Sequence, residues 1–454
     1  MKLTYQVSDK PKFGQTLVFA LQQLLAIMAA TIAVPNIIGN GMSPAAALFG
    51  AGAGTLVYLL FTKFRSPVFL GSSFAFLGSM GAAFGGAASV SVGYAGLLLG
   101  AIFAGLVYVV IALIVKLVGV NWINKLMPAV IIGPTVAIIG LSLAGNAIGD
   151  LTTGGLKIDN VSVANPYLCL VIGLVTLAVT MICSVYGKGF IKMIPFVMGI
   201  LAGYAVAAVC TAVGNATAND ALRVIDFSKF QSMQWLPSFT FVEAFKGFKE
   251  IDGAYIASIA VGYVPVAFVV FAEHIADHKN ISSIIEQDLL ENPGLHRTLL
   301  GDGVGSMVGS FFGGCPNTTY GESIGCVAIS GNASIVTIFT TAIMAIVISF
   351  IAPFSTFLAT IPSCVMGGVC MALYGFIAVS GLKMLQPVDL GDNRNLFTAS
   401  VILIAGIGGL SLTFGKVTIT TIACALILGI LTNVLLGGKK KDAPAEEAVE
   451  EKAE

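Results

Sequence analysis

Residues 315–331 read CPNTTYGESIGCVAISG. Apolar sequence flanks this stretch on both sides, yet it opens with polar, turn-prone residues. Pro316, Asn317, Thr318 and Thr319 cannot begin a comfortable helix. Tyr320, Gly321 and Glu322 follow and lead into small residues at helical spacing. In water this would be an ordinary loop. In a bilayer, irregular backbone is tolerated only where protein or a water-filled cavity covers it, because lipid cannot satisfy free N–H and C=O groups. A half-helix whose N-terminus points into the protein offers free N–H donors to a polar ligand. Glu322 stands at this break. A carboxylate at a helix start is favoured by the dipole alone, but acids inside membranes are costly and usually functional, which makes Glu322 the first candidate.

Composition establishes that lipid is the solvent. Apolar residues make up 57% of the chain and charged residues 10%, against roughly 25% charged in soluble proteins; mean hydropathy is +0.94. Formal net charge is zero, so nothing points to nucleic acid. The eight cysteines sit almost entirely inside apolar runs, without a CxxC pair, and there are three histidines. This pattern argues against a structural metal site or a disulfide framework, and no cofactor is expected. No cleavage site precedes the first apolar run, so no signal peptide is expected.

Apolar runs near the ~20 residues needed to span a bilayer fall at 13–35, 44–62, 67–85, 91–117, 124–145, 164–186, 190–214, 254–277, 296–313, 315–332, 333–352, 358–380, 395–413 and 416–437, fourteen in all. Lys and Arg gather at alternate ends, as in Lys63 and Arg65, Lys188 and Lys192, and Lys383 and Arg394, whereas 36–43, 86–90 and 353–357 carry none. The positive-inside rule then places both termini in the cytoplasm. Residues 215–253 form a long external loop, and 438–454 a polar, charged, disordered cytoplasmic tail.

Two stretches echo each other. MPAVIIG, with Pro128 and Gly133, matches IPSCVMG, with Pro362 and Gly367, at the same Pro-to-Gly spacing. The third span begins SPVFLGSSFAF, another small, polar, extended start, corresponding to CPNTTYGES in the tenth. Seven spans per half is odd, so the halves must be inverted. Paired broken segments in inverted repeats point to a transporter's midplane site.

Further candidates surround the break. Glu273 either marks where the eighth span meets the cytoplasmic interface, with Asp277 and Lys279 beyond it, or lies buried in a helix that continues. Asp277, four residues on, shares its helix face; two such acids repel, which suits holding a proton between them. Phe74 and Tyr320 each sit at a proposed strand-to-helix break, and Tyr374 lies in an unusual segment. Aromatic faces would stack a planar ring while carboxylates and backbone amides read its edge. His274, His278 and His296 read as solvated or capping histidines.

The strings QQLLAIMAATIAVP, FLGSSFAF, AEHIADH, ENPGLHRTLLGDG, PNTTYGESIG and IPSCVMGGVCMALYG, spread over about residues 10 to 437, resemble the nucleobase–ascorbate transporter family, and within it the bacterial uracil-carrying branch. The resemblance implies an all-α polytopic membrane protein: fourteen spans in a seven-plus-seven inverted repeat, with short strands in the third and tenth. It implies a core domain (13–117 and 254–352), a gate domain (118–214 and 353–437), a homodimer and a bacterial cytoplasmic membrane. Uracil would enter by proton symport, with Na⁺ the other coupling ion. Glu273 and Glu322 would bind the uracil N–H edge, and backbone N–H groups of Phe74 and Gly321 its carbonyls. Phe74, Tyr320 and Tyr374 would line the pocket, and Glu273, Asp277 and Glu322 would handle the proton.

The chain departs from the family pattern at three places: Ser323 replaces an Asn, Gln23 a frequent His, and Asp277 a His of the best-studied permease type. The purine branches usually carry Gln in place of Gly321-Glu322, so the resemblance favours a pyrimidine, with xanthine or another purine as runner-up. An anion carrier of the same architecture should place a cation at the break. An intramembrane enzyme would need a nucleophile–base pair or a metal cluster, and neither is apparent.

Overall fold

Apolar runs in lipid fold as helices because a helix satisfies its own backbone within one segment. The structure, a computed structural model, describes residues 3–119, 128–158, 161–233, 235–414 and 417–437. The tail 438–454, expected to be disordered, and Met127 of the sequence echo lie outside the described residues. In chain order the helices are α1 (Phe13–Ile38), α2 (Pro44–Phe61), α3 (Leu77–Gly85), α4 (Val90–Val118), α5 (Ala129–Ser142), α6 (Ala144–Leu151), α7 (Pro166–Tyr186), α8 (Pro195–Thr217) and α9 (Thr240–Gly247). They continue with α10 (Gly253–Ile285), α11 (Leu295–Gly313), α12 (Gly321–Ser330), α13 (Ile335–Ile348), α14 (Ala352–Thr360), α15 (Ser363–Lys383), α16 (Asn393–Ile407) and α17 (Thr421–Leu435). Among the described residues, eight helical segments, with α5 and α6 counted as the one segment Ala129–Leu151, are long and apolar enough to cross a membrane, or nine if α13 and α14, bent by 85° at their junction, count as one crossing. The protein is therefore helical and multi-pass.

Among the described residues, six short strands form three separate antiparallel pairs. These are β1 (Leu70–Ser72) with β4 (Asn317–Thr319), β2 (Lys157–Ile158) with β3 (Val161–Ser162), and β5 (Leu412–Phe414) with β6 (Val417–Ile419). The first pair alone joins distant parts of the chain, and all six of its residues are buried.

Small residues let the surrounding helices approach closely, the usual device where lipid supplies no hydrophobic drive between helices. A Cβ on Gly50 or Gly54 of α2 would lie 2.4 or 2.6 Å from the carbonyl oxygen of Gly309 or Gly305 of α11. The two backbones thus pack against each other directly beside β4, and the Asn317 amide, wedged there, donates to the Gly50 carbonyl at 3.1 Å.

Three elements differ from the sequence expectation. The eighth span, expected over 254–277, continues as helix to Ile285. Residues 353–357, expected as a short connection, lie inside α14, where Pro353 sits at the helix start, a position that tolerates its missing N–H. The segment 215–253, expected as a long external loop, is no bare loop, for it contains α9, which packs on α4 and α11. Its anchor is a set of ring contacts, with Phe241 stacked on Phe311 at 4.8 Å and Phe239 edge-on to Phe312 at 5.6 Å.

Candidate functional site

The site grows from the β1–β4 pair. Pro67 and Pro316 disfavour helix at the start of each segment, and the extended residues that follow find their hydrogen-bond partners in each other. The register sets Leu70 opposite Thr319, Gly71 opposite Thr318 and Ser72 opposite Asn317. Flanking bonds lengthen the ladder: Ser73 N–H donates to the Pro316 carbonyl at 2.9 Å, and Tyr320 N–H to the Phe69 carbonyl at 3.2 Å. No lipid-facing edge is left to satisfy, because helices cover the pair on all sides. Each strand then turns into a helix. β1 leads through a 3₁₀ turn, Phe74–Phe76, into α3; β4 leads through the extended residue Tyr320 into α12. Both helices therefore begin inside the protein. Neither start carries a side-chain cap, so their first N–H groups are open to a ligand.

Glu273 and Asp277 come from α10, which passes alongside. Because α10 continues to Ile285, Glu273 is not at a helix end; it lies three turns inside the helix, facing a cavity of about 410 Å³ that Asp277, Gly321 and Glu322 also line. A contiguous pocket of about 30 Å³ is lined by Phe74, Glu273, Tyr320, Gly321 and Glu322 together. Five of the six expected substrate contacts thus meet at one place. The sixth, Tyr374, stands behind them: its ring meets Phe74 edge-on at 5.7 Å, and it is absent from the residues facing either cavity. The Tyr320 hydroxyl donates to the Ser72 carbonyl at 2.8 Å, which folds its ring back over β1.

Asp277 does more than share a face with Glu273. Thr319 of β4 donates its hydroxyl to the Asp277 carboxylate at 2.7 Å, tying α10 to the strand one residue before Tyr320. Gln23 and Ser323, two of the departures from the family pattern, touch each other. The Gln23 amide donates to the Ser323 hydroxyl and, at 3.2 Å, to its carbonyl; the same hydroxyl accepts from Phe69 N–H at 3.1 Å. One oxygen thereby joins α1, β1 and α12 immediately behind Glu322.

Two histidines contradict their sequence reading. His274 and His278 are neither solvated nor capping; both are fully buried and stack on each other with ring centroids 4.0 Å apart. They lie one position round the helix from Glu273 and Asp277, so they face the interior rather than the cavity. His278 Nδ1 lies 2.8 Å from the His274 carbonyl, which can only accept, so Nδ1 carries the proton. Nε2 then accepts from Tyr58 at 2.7 Å, and the Tyr58 oxygen accepts from Ser66 at 2.6 Å. His274 pairs with Asp302 of α11 at 2.7 Å and with Thr298 at 3.0 Å. The readable signal was the doubled i,i+4 pattern in AEHIADH: one acid pair and one histidine pair on adjacent faces. His296, part-buried at the start of α11, stays outside this network.

One pocket thus brings together the carboxylates of Glu273 and Glu322, the starts of two helices and the rings of Phe74 and Tyr320. Among the described residues no cluster of His, Cys, Asp and Glu has the geometry to hold a metal ion. The chain matches the permease family over residues 14–414. It is 38% identical to a uracil permease of Bacillus caldolyticus over 445 residues, covering 97% of this chain and 96% of that protein. It is 37% identical to the uracil permease of Bacillus subtilis strain 168, covering 97% of each. In fold it is similar to the transmembrane domain of the cyanobacterial bicarbonate transporter BicA, with a TM-score of 0.62 at 16% identity, covering 94% of this chain and 100% of that one. The chain belongs to the permease family.

Proposed function

We propose that this protein imports uracil across a bacterial cytoplasmic membrane as a proton-coupled secondary transporter. The observation that carries the reading is the convergence of Phe74, Glu273, Tyr320, Gly321 and Glu322 on one pocket. Uracil is a planar ring whose edge alternates N–H donors and carbonyl acceptors. Carboxylates of Glu273 and Glu322 accept from the N–H groups, and backbone N–H groups at Phe74 and Gly321 donate to the carbonyls. The rings of Phe74 and Tyr320 bound the faces, with Tyr374 holding Phe74. Three acids around the cavity would repel an anion, which argues against a bicarbonate-like cargo despite the similar fold.

In this reading the chain makes fourteen crossings in two inverted halves. Residues 13–117 and 254–352 form a core domain carrying the site. Residues 118–214 and 353–437 form a gate domain that also builds a homodimer, and both termini are cytoplasmic. The larger cavity is lined by Lys192, Asn280 and Met384, near the Lys-rich ends of the helices, so the arrangement is inward-facing. A proton bound among Glu273, Asp277 and Glu322 enters with uracil and leaves on the same side.

Purified protein in liposomes, given radiolabelled uracil and an imposed inward proton gradient, tests this. Uptake that collapses with the gradient and is competed by unlabelled uracil better than by xanthine or thymine is expected. Uptake that xanthine inhibits better than uracil, or that follows a Na⁺ gradient alone, overturns the substrate or the ion respectively.

A further inference from the structure

The cavity beside Glu322 contains a residue with no part in the binding scheme. Lys192 lies in the single helical turn Phe190–Met193 between α7 and α8, a turn that packs on α1, α8 and α12. It lines the same cavity as Glu273, Asp277 and Glu322, and among the residues lining that cavity it is the one base beside three acids. Its side chain is exposed, and among the described residues it makes no ion pair. An ammonium on a flexible four-carbon stem, without an ion-pair partner among the described residues and sharing an open cavity with carboxylates, is free to swing toward them.

The carboxylates that line this cavity with Lys192 include those whose oxygens would accept the substrate N–H groups. An ammonium and a ring N–H compete for the same lone pairs. We propose that Lys192 is a release residue: at the inner mouth its ammonium competes with substrate for the carboxylates of Glu322 and Glu273 and speeds emptying into the cytoplasm. This rests on the transport reading above. It also explains why a base stands at the mouth rather than at the break itself. Placed at the break, it would neutralise the acceptors permanently; placed in the turn between α7 and α8, it meets them only when the site opens to this side.

The consequence is a signature that ordinary damage does not produce. Removing the charge should make binding tighter and turnover slower together, as when an interaction opposing the bound state is lost. Lys192→Gln, measured in detergent by equilibrium binding of radiolabelled uracil, is expected to bind about two- to fivefold more tightly than wild type, the range of a partly exposed ion pair. In liposomes its maximal uptake rate and its KM should both fall. Lys192→Arg keeps the charge and should restore wild-type values of all three. If Lys192→Gln binds uracil with unchanged or weaker affinity while wild type binds normally, the release role is wrong and the transport reading stands. If wild type binds no uracil at all, the transport reading itself fails, and this inference with it.

Discussion

Thr319 and Asp277 are joined by a 2.7 Å hydrogen bond between a strand beside the candidate pocket and the helix that carries its acids. The bond fixes the carboxylate against the strand, and Glu273 lies one turn away on the same helix face. Asp277 therefore ties the proposed proton site to the position of the strand. Asp277→Asn removes the charge and keeps an oxygen for Thr319. Uracil binding should stay within about twofold of wild type, since no substrate hydrogen bond is lost, while uptake loses its dependence on the proton gradient. Normal gradient-driven uptake by this variant between pH 5 and 8 would move the proton to Glu273 or Glu322.

Glu322→Gln preserves shape but can set an NH₂ donor against a uracil N–H. Loss of a charge-assisted hydrogen bond costs about 1.5–3 kcal/mol, so affinity should fall roughly 10- to 150-fold at 1.4 kcal/mol per decade. Binding within twofold of wild type in detergent would remove Glu322 from the ligand set.

The Gln23–Ser323 contact predicts non-additivity. Ser323→Ala removes the oxygen that joins α1, β1 and α12, and Gln23→Leu removes one of its donors. Both act on the same junction, although Ser323→Ala keeps the carbonyl that Gln23 also reaches, so the double variant should weaken uracil binding by less than the sum of the two single losses. A double-mutant cycle reads the coupling directly, at about 0.5–3 kcal/mol for contacting residues; additive losses would mean that the two residues act separately.

Much of this site was legible because membrane folding leaves few ways to satisfy a polar backbone. PNTTYGE had to be covered and its helix had to begin inside, which located Tyr320, Gly321 and Glu322 without any structure. Hydropathy could not set the end of α10: the charged run Glu273 to Lys279 looks like an interface, and only packing around His274 and His278 shows that the helix continues through it. Thr319 was hidden for a different reason. Its role depends on which residue of a distant helix reaches the strand, and spacing within either segment carries no information about the other. The same holds for Gln23 and Ser323, each visible as an odd residue but not as a pair.

Gly71 lies opposite Thr318 in the strand pair, with the Tyr320 ring folded across it. A Cβ at this position would fall 2.3 Å from two ring atoms of Tyr320, and the ring cannot give way without breaking its bond to the Ser72 carbonyl. Gly71→Ala should therefore displace Tyr320 and cost about 1–3 kcal/mol, the range for overpacking a filled core. A lowered unfolding midpoint in detergent together with weakened uracil binding is expected. Gly71→Ala combined with Tyr320→Phe, which has already lost the hydroxyl, should lose less on adding the methyl. An equal loss in both backgrounds would show that the ring is not what the glycine accommodates.

Asp302 and His274 give the last prediction, and here the protons can be placed from the bonds. The Thr298 hydroxyl has one hydrogen, and the Leu295 carbonyl 3.0 Å away takes it. Toward His274 Nε2, also at 3.0 Å, Thr298 can then only accept, so Nε2 bears a proton. The 2.7 Å contact between Nδ1 and the Asp302 carboxylate holds one further proton, on either atom. The pair is neutral overall in both cases, which is how two ionisable groups can be buried together here. Asp302→Asn can donate its amide N–H to an unprotonated Nδ1 and keep the contact. Asp302→Leu leaves Nδ1 buried and unpartnered, a loss of about 1–3 kcal/mol. Thermal unfolding in detergent should therefore rank wild type and Asp302→Asn close together, with Asp302→Leu well below. Uracil affinity at Glu273 should follow the same order, because His274 is its neighbour on α10. If Asp302→Asn and Asp302→Leu prove equally unstable, the pair depends on the carboxylate charge, and the second proton sits on Nδ1 rather than on Asp302.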